Sequence, residues 1–284
     1  MPVVGRLAPT TSGHLHLGNA MAFGMAWLST RSAGGRLLLR FEDVDRQRAR
    51  PEIETSQRVD LDWLGLTVDE ERPPQCERDY TPWLAALSDR TYRCTCTRSQ
   101  IRRTGGAYTG TCRDAGHAEG ALRFRLQDQV ETYYDRRFGS QRARALDFGD
   151  PVLQRRDGVV TYNLAVVADD IADGVTEVVR GADLLGYTAV QIQLWEAFGA
   201  TPPTWLHGPL LRHRDGRKLS KSHGSTEIRS LRAAGHTPQH IWQLLLSWLD
   251  LPGDALDQAV SSFSPTAGRL GPIEVPAQLA PIET

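Results

Sequence analysis

A chain of 284 residues and 31.5 kDa sits near the size at which one hydrophobic core stops growing, so two compact units are expected. Its composition, 40% hydrophobic and 24% charged, is that of an ordinary globular protein and excludes a disordered, collagen-like or disulfide-dense chain. A formal net charge of −1 excludes a globally basic nucleic-acid binder, so any RNA contact must come from a local patch.

Pro2 to Ala8 reads as a short buried strand, followed by a turn-rich stretch, Pro9 to Gly13, and an apolar helix from about Gly18 to Ser32. The apolar run inside it, Ala20 to Leu28, is far short of the roughly 18 residues a membrane span needs. The residues before it contain no apolar signal region, so a cytoplasmic protein with no membrane partner is expected. Arg36 to Phe41 reads as a second strand, ending in Glu42-Asp43. Strand, loop, helix, strand is the start of a parallel βαβ unit, in which ligands sit at the carboxyl ends of the strands. Pro51 opens a further helix through Leu64, and another runs from about Asp79 to Leu87.

From Tyr92 to about Leu126 the pattern breaks into Cys, Gly, Thr and Arg, which reads as an inserted module. The α/β rhythm returns with Tyr162 to Val167, a strand from Val175 to Arg180, a helix from Ala182 to Phe198 and a last strand from Trp205 to Leu211. Gln239 to Leu249 carries apolar residues at near 3.6 spacing and reads as a helix; the tail after Ser264 reads as extended or loosely ordered.

Two stretches carry chemistry. At His16-Leu17-Gly18-Asn19 a strand-to-helix turn aims backbone N–H groups and the positive end of a helix at a bound anion, with His16 as a further donor and Gly18 allowing close approach. The second is Lys218-Leu219-Ser220-Lys221-Ser222. Among 33 basic residues only Lys218 and Lys221 are lysine, as though this site needs a compact ammonium on a flexible stem. Two such ammonium groups could stabilise charge developing on phosphate oxygens and a leaving group.

Together these stretches resemble the HIGH and KMSKS signatures of the class I aminoacyl-tRNA synthetases, departing from the consensus at Asn19, where a second His is usual. The resemblance narrows to the glutamyl branch through Arg6-Leu7-Ala8-Pro9-Thr10, Arg40 to Asp45, Tyr162 to Ala165 and Val179 to Leu184, all in family order. It implies that His16, Gly18, Asn19, Lys218, Ser220 and Lys221 bind ATP with its Mg²⁺, and that His16, Asn19, Lys218 and Lys221 act in the chemistry. It also implies that Arg6, Leu7, Ala8, Pro9, Thr10, Glu42, Tyr162 and Arg180 bind L-glutamate. The chemistry agrees: two carboxylates and one ammonium call for arginines and an acid, which Arg6, Arg180 and Glu42 supply.

In the insert, Cys94 and Cys96 form a CxC pair, with Cys112 following. Three thiolates can bind zinc with one further ligand, although CxC is tighter than the usual spacing and three free thiols fit it too. Cys76 stands apart as a simple thiol. The pattern from Cys94 through Tyr108 to Cys112 resembles the zinc site of the glutamyl-Q tRNA(Asp) synthetases, which implies one structural Zn²⁺ with Tyr108 as fourth ligand. Only 62 residues follow Ser222, which resembles a catalytic half without an anticodon-binding region.

The expected architecture is α/β: a Rossmann-like class I synthetase catalytic domain over residues 1–90 and 177–225, an inserted zinc-bearing subdomain and return to the core over 91–176, and a helical C-terminal segment with an extended tail over 226–284. The resemblance implies ATP-dependent activation of glutamate without tRNA, then transfer to queuosine in the anticodon of tRNA(Asp). The rivals are a truncated glutamyl-tRNA synthetase charging a tRNA 3′ end, and an inactive paralogue that binds RNA through the insert and Arg103, Arg113, Arg136 and Arg137.

Overall fold

A computed structural model describes residues 2–103, 105–212 and 226–276. Strand β1 (Val4–Leu7) leads into helix α1 (Leu17–Ser32), which returns the chain to β2 (Arg36–Leu39); α2 (Pro51–Trp63) then leads to β3 (Glu70–Glu71). These three strands form a parallel sheet in the order β1-β2-β3. After α3 (Thr81–Ala86), strand β4 (Thr91–Cys94), helix α4 (Arg98–Arg103) and β5 (Ala121–Phe124) open the cysteine-bearing region. Next come the hairpin β6 (Val130–Asp135) and β7 (Gly139–Arg144), and β8 (Val152–Gln154), which completes an antiparallel sheet β4-β5-β8.

The segment from Tyr162, expected to resume the α/β rhythm, is helix α5 (Tyr162–Ala172). Strand β9 (Glu177–Gly181), helix α6 (Thr188–Ala197) and β10 (Thr204–Gly208) follow. The expected single helix from Ala182 is instead a short 3-10 turn, Ala182–Leu184, and then α6, the two separated around Gly186. The strand expected to end at Leu211 divides at Pro209 into β10 and β11 (Leu211–Arg212). Helices α7 (Ile228–Ala233), α8 (Pro238–Trp248) and α9 (Leu256–Ala259) precede β12 (Ile273–Glu274).

Strand β10 pairs in parallel with β9 on one side and β6 on the other. The β1 and β9 edges meet: Thr176 N–H donates to Val4 O at 2.9 Å, and Arg6 Nη1 donates to Val179 O at 3.2 Å. Alternation of side chains along the strands explains the layers. Leu37, Leu39, Val179 and Leu206 pack with α1 and α8 in one core, while Leu38, Val178 and Trp205 pack with Ile192 of α6 in another. Helix α1 is buried along most of its length because α9 and Trp242 of α8 cover it as well as the sheet. At Gly24 any Cβ would meet the Trp242 ring at 2.7 Å, so a larger residue would push α8 away.

Residues 265–276, the described part of the tail after Ser264, are more ordered than their composition suggests. The buried Arg137 guanidinium donates to Pro265 O, Ala267 O and Arg269 O at 3.0, 2.7 and 2.6 Å. Beyond them β12 pairs with β11. Three carbonyls satisfied by one cation replace the apolar packing that a Pro, Ala and Gly-rich stretch cannot supply. Among the described residues no helix is long and apolar enough to cross a membrane.

Candidate functional site

A cavity of about 350 Å³ opens where β1 and β9 diverge, at their carboxyl ends. Arg6, Ala8, Thr10, His16, Gly18, Asn19, Glu42, Tyr162 and Arg180 all line it. Open parallel sheets bind ligands in this crevice, because loops and helix starts converge there. Leu7 belongs to the core beneath, and Pro9 is buried with its carbonyl accepting from Glu42 N–H at 2.9 Å. Both support the site from behind: Pro9 and the Thr10–Glu42 bridge continue the β1–β2 pairing and set the position of Glu42.

His16 caps α1. Its Nδ1 accepts from Gly18 N–H (3.0 Å) and Asn19 N–H (3.3 Å), while Asn19 Oδ1 accepts from His16 N–H (3.1 Å). This is a reciprocal capping box, so two of the amides expected to hold an anion are already satisfied by the ring. A neutral imidazole accepting at Nδ1 carries its proton on Nε2, so that nitrogen can only donate. Gly18 is needed for this arrangement, since a Cβ there would meet the His16 ring at 2.8 Å.

The two arginines differ in their partners. Arg6 is tied by Nε to both oxygens of Asp170 at 3.3 Å. Arg180 is also buried, yet its partners are neutral: His207 Nε2 at 3.0 Å, Thr188 Oγ1 at 2.9 Å, Gln191 Oε1 and, longer, Leu184 O. Among the described residues no carboxylate pairs with it. A buried guanidinium without an anion is costly, and a carboxylate entering the cavity would offset that cost.

Glu42 lies 3.8 Å from Arg40, its side chain 11% exposed. Burial pushes its carboxyl up to about 7, against the pull of Arg40 and Arg6. Behind it, the fully buried Arg40 pairs with Asp170 (2.7 Å) and Asp173 (3.0 Å), and Arg78 pairs with Asp169 and Asp173. The three aspartates project from the last turns of α5 and its cap.

Lys218, Ser220 and Lys221 lie outside the described residues. Both flanks of their segment are anchored at the cavity. Leu211 lines it on one side; on the other, Glu227 forms a bridge with His16, and Ile228 N–H donates to Leu15 O at 2.9 Å.

In the insert the sulfurs of Cys94, Cys96 and Cys112 lie within 4.8 Å of one another, with Cys96 Sγ 3.6 Å from Cys112 Sγ. Zinc–sulfur bonds of about 2.3 Å in a tetrahedron place sulfurs about 3.8 Å apart, so the donor set fits zinc. Tyr108 packs among the same cysteines, its Oη accepting from Cys112 N–H at 2.7 Å. Burial opposes ionisation of Cys112, but hydrogen bonds from Thr95, Tyr108 and the other two thiols outweigh it and lower the thiol to about 6. Burial raises Cys96 to about 11. A bound cation would ionise both.

Sequence reasoning did not single out Asp135, Thr188, Gln191 or His207, which surround Arg180. Thr188 and Gln191 lie 8 and 11 positions from Arg180 and reach it only because α6 folds back over β9, whereas Asp135 and His207 meet across strands 72 positions apart, which no local spacing reports.

The sequence profile of the class I tRNA synthetases (E and Q), catalytic domain, matches residues 2–249. The chain is 46% identical to a glutamyl-Q tRNA(Asp) synthetase of Nitratidesulfovibrio vulgaris over 81% of each chain. It is 43% identical to that of Deinococcus radiodurans over 89% of this chain and 91% of the other, and 41% identical to that of Pseudomonas putida over 93% and 92%. The crystal structure of the glutamate-tRNA synthetase from Elizabethkingia anophelis superposes with a TM-score of 0.84 at 24% identity, covering 98% of this chain and 68% of that one, and shares its fold.

Proposed function

Because the chain belongs to the glutamyl-Q tRNA(Asp) synthetases, ligases built on the class I synthetase catalytic domain, we propose that it activates L-glutamate with ATP and then transfers the glutamyl group to queuosine in the anticodon of tRNA(Asp). The observation that carries the amino-acid half is Arg180, a buried cation on the cavity wall whose partners among the described residues are all neutral. A substrate carboxylate would complete it. Arg6 would pair the second carboxylate, Glu42 the ammonium, and Tyr162 would hydrogen-bond a carboxylate and help exclude glutamine; all four line one cavity.

In this reading the α-carboxylate of glutamate attacks the α-phosphorus of ATP, pyrophosphate leaves, and no tRNA is needed. His16 Nε2–H, Asn19 and the Gly18 backbone would face the nucleotide, with Lys218, Ser220 and Lys221 supplying donors and charge where negative charge develops. Mg²⁺ would come with ATP and screen its phosphates. A hydroxyl of the queuosine diol would then attack the adenylate carbonyl and release AMP. Cys94, Cys96, Cys112 and Tyr108 would hold one zinc ion, which would contribute structure to the insert. We place the domain boundaries at residues 90, 176 and 225, and the protein in the cytoplasm.

The RNA-binding rival relied on Arg103, Arg113, Arg136 and Arg137. Three of these are engaged inside the protein: Arg113 with Asp150, Arg136 with Glu177, and Arg137 with the tail carbonyls. Glutamate-dependent pyrophosphate exchange without RNA tests the first step; a protein that only binds RNA gives none. Labelled glutamate should then appear on tRNA(Asp) only when queuosine is present, and periodate oxidation of its diol should abolish the transfer. Charging of unmodified tRNA(Glu) on its terminal adenosine would favour a 3′-end synthetase instead.

A further inference from the structure

Asp135, His207 and Arg180 stand at neighbouring positions on three adjacent strands, β6, β10 and β9, with His207 in register with Arg180. The Asp135 and His207 side chains are fully buried. Arg180 Nε–H donates to His207 Nε2 at 3.0 Å, and His207 Nδ1 lies 2.7 Å from Asp135 Oδ2. An arginine Nε can only donate, so His207 Nε2 must accept and carries no proton. The ring is therefore neutral with its proton on Nδ1, and it donates that proton to Asp135. Thr188 Oγ1, 3.4 Å from the same Nε2, donates to Leu184 O at 3.2 Å. Burial holds the imidazole below its ordinary pKa, and Arg180 adds to this against the pull of Asp135.

The order of charges is then carboxylate, neutral imidazole, guanidinium. Asp135 is itself fixed, since it also accepts from the backbone N–H groups of Arg137, Phe138 and His207. An acid placed directly on Arg180 would compete with an incoming carboxylate for the same N–H groups. One imidazole away, it offsets part of the cost of burying the cation and fixes the guanidinium plane through Nε. The Trp205 ring, 4.9 Å from the guanidinium carbon, supports that plane from one face.

We infer that Asp135 and His207 are positioning residues that orient Arg180 for the amino-acid carboxylate while leaving it, among the described residues, without a direct anionic partner. The inference rests on the reading that Arg180 meets that carboxylate, and it identifies what sets amino-acid affinity at that end of the site. Neither residue touches substrate.

The test is glutamate-dependent pyrophosphate exchange, with the KM for glutamate and for ATP measured separately and folding checked by melting curves. His207→Asn can satisfy Asp135 but leaves Arg180 Nε without an acceptor; the KM for glutamate should rise roughly tenfold or more, with the KM for ATP unchanged. His207→Gln can place an amide oxygen where Nε2 was and should restore the KM for glutamate to within a few-fold of wild type. Asp135→Asn offers an amide N–H to Nδ1, drives the ring proton to Nε2 and sets it donor to donor against Arg180, so its KM for glutamate should also rise. This second variant decides the matter should the first not fold. Arg180→Ala separates the two readings. If its KM for glutamate is normal, the carboxylate role of Arg180 falls and the relay with it. If Arg180→Ala is impaired while His207→Asn and Asp135→Asn match wild type, or if folded His207→Gln is as impaired as Arg180→Ala, the relay alone is overturned.

Discussion

Glu42 is held at the cavity by the strand end that precedes it, at a cost to stability. Its carboxyl is raised from 4.5 to about 7, burial being the first cause and Asp170 and Asp169 adding to it against Arg40 and Arg6. A carboxyl with a raised folded pKa binds its proton more tightly folded than unfolded, so stability falls as pH rises between about 4.5 and about 7. Above that range the penalty is fully present. Glu42→Gln should therefore raise the melting temperature at pH 8, by about 2–4 °C for each kcal/mol of penalty removed, and change it little at pH 4. The same variant should lose glutamate activation by roughly a hundredfold, because an ammonium would be left without its acid. Melting curves at the two pH values, set beside pyrophosphate exchange, check both halves. In the unaltered protein the KM for glutamate should rise as pH falls below about 7, as Glu42 gains its proton.

At the scale of elements, α5 runs against the preference for cations at a helix C-terminus. Asp169, Asp170 and Asp173 crowd its last turns and cap, and Arg6, Arg40, Arg72 and Arg78 compensate them from other segments. Asp170→Asn would leave Arg40 and Arg6 without their shared partner, and urea unfolding should show a loss of about 3–5 kcal/mol. At the antiparallel sheet β4-β5-β8 lie the three cysteines of the proposed zinc site. Protein purified without added metal should contain one zinc per chain, falling to background in Cys96→Ser; elemental analysis reads this directly. Absence of metal, together with rapid alkylation of all three thiols in the folded protein, would leave the cluster as free cysteines.

Much of this was legible in the sequence, and for definite reasons. The α1 boundary follows from His16, Gly18 and a continuous apolar run, and α8 from the 3.6 spacing of Ile241, Leu244, Leu245 and Trp248, its first residue Pro238 standing one before the expected Gln239. The segment from Tyr162 was ambiguous because Leu164 to Val167 is a short, wholly buried apolar run that suits a strand or a helix equally. Arg6, Glu42, Tyr162 and Arg180 were grouped by family order, not by spacing, and the cavity brings all four to one wall system. Asp135 and His207 stayed hidden because a single Asp and a single His, 72 positions apart, announce nothing until β6 and β10 lie side by side.

For the whole molecule, one sheet junction governs how the chain can be assembled during synthesis. The β1–β9 seam is closed by bonds such as Arg6 to Val179, 173 positions apart, and β11 pairs with β12, far along the chain. The amino-terminal βαβ unit leaves the ribosome with its β1 edge unpaired and the floor of its crevice missing, so it cannot bury its apolar face until the second half arrives. Contacts of such long separation close slowly, because chain entropy is lost before packing repays it. Vectorial folding is thus deferred. Ribosome-bound chains halted before Val178 has emerged should be digested by protease throughout, and resistance of the β1–α1–β2 region should appear only after Gly208 has cleared the exit tunnel. Early resistance of that region would show that it folds alone.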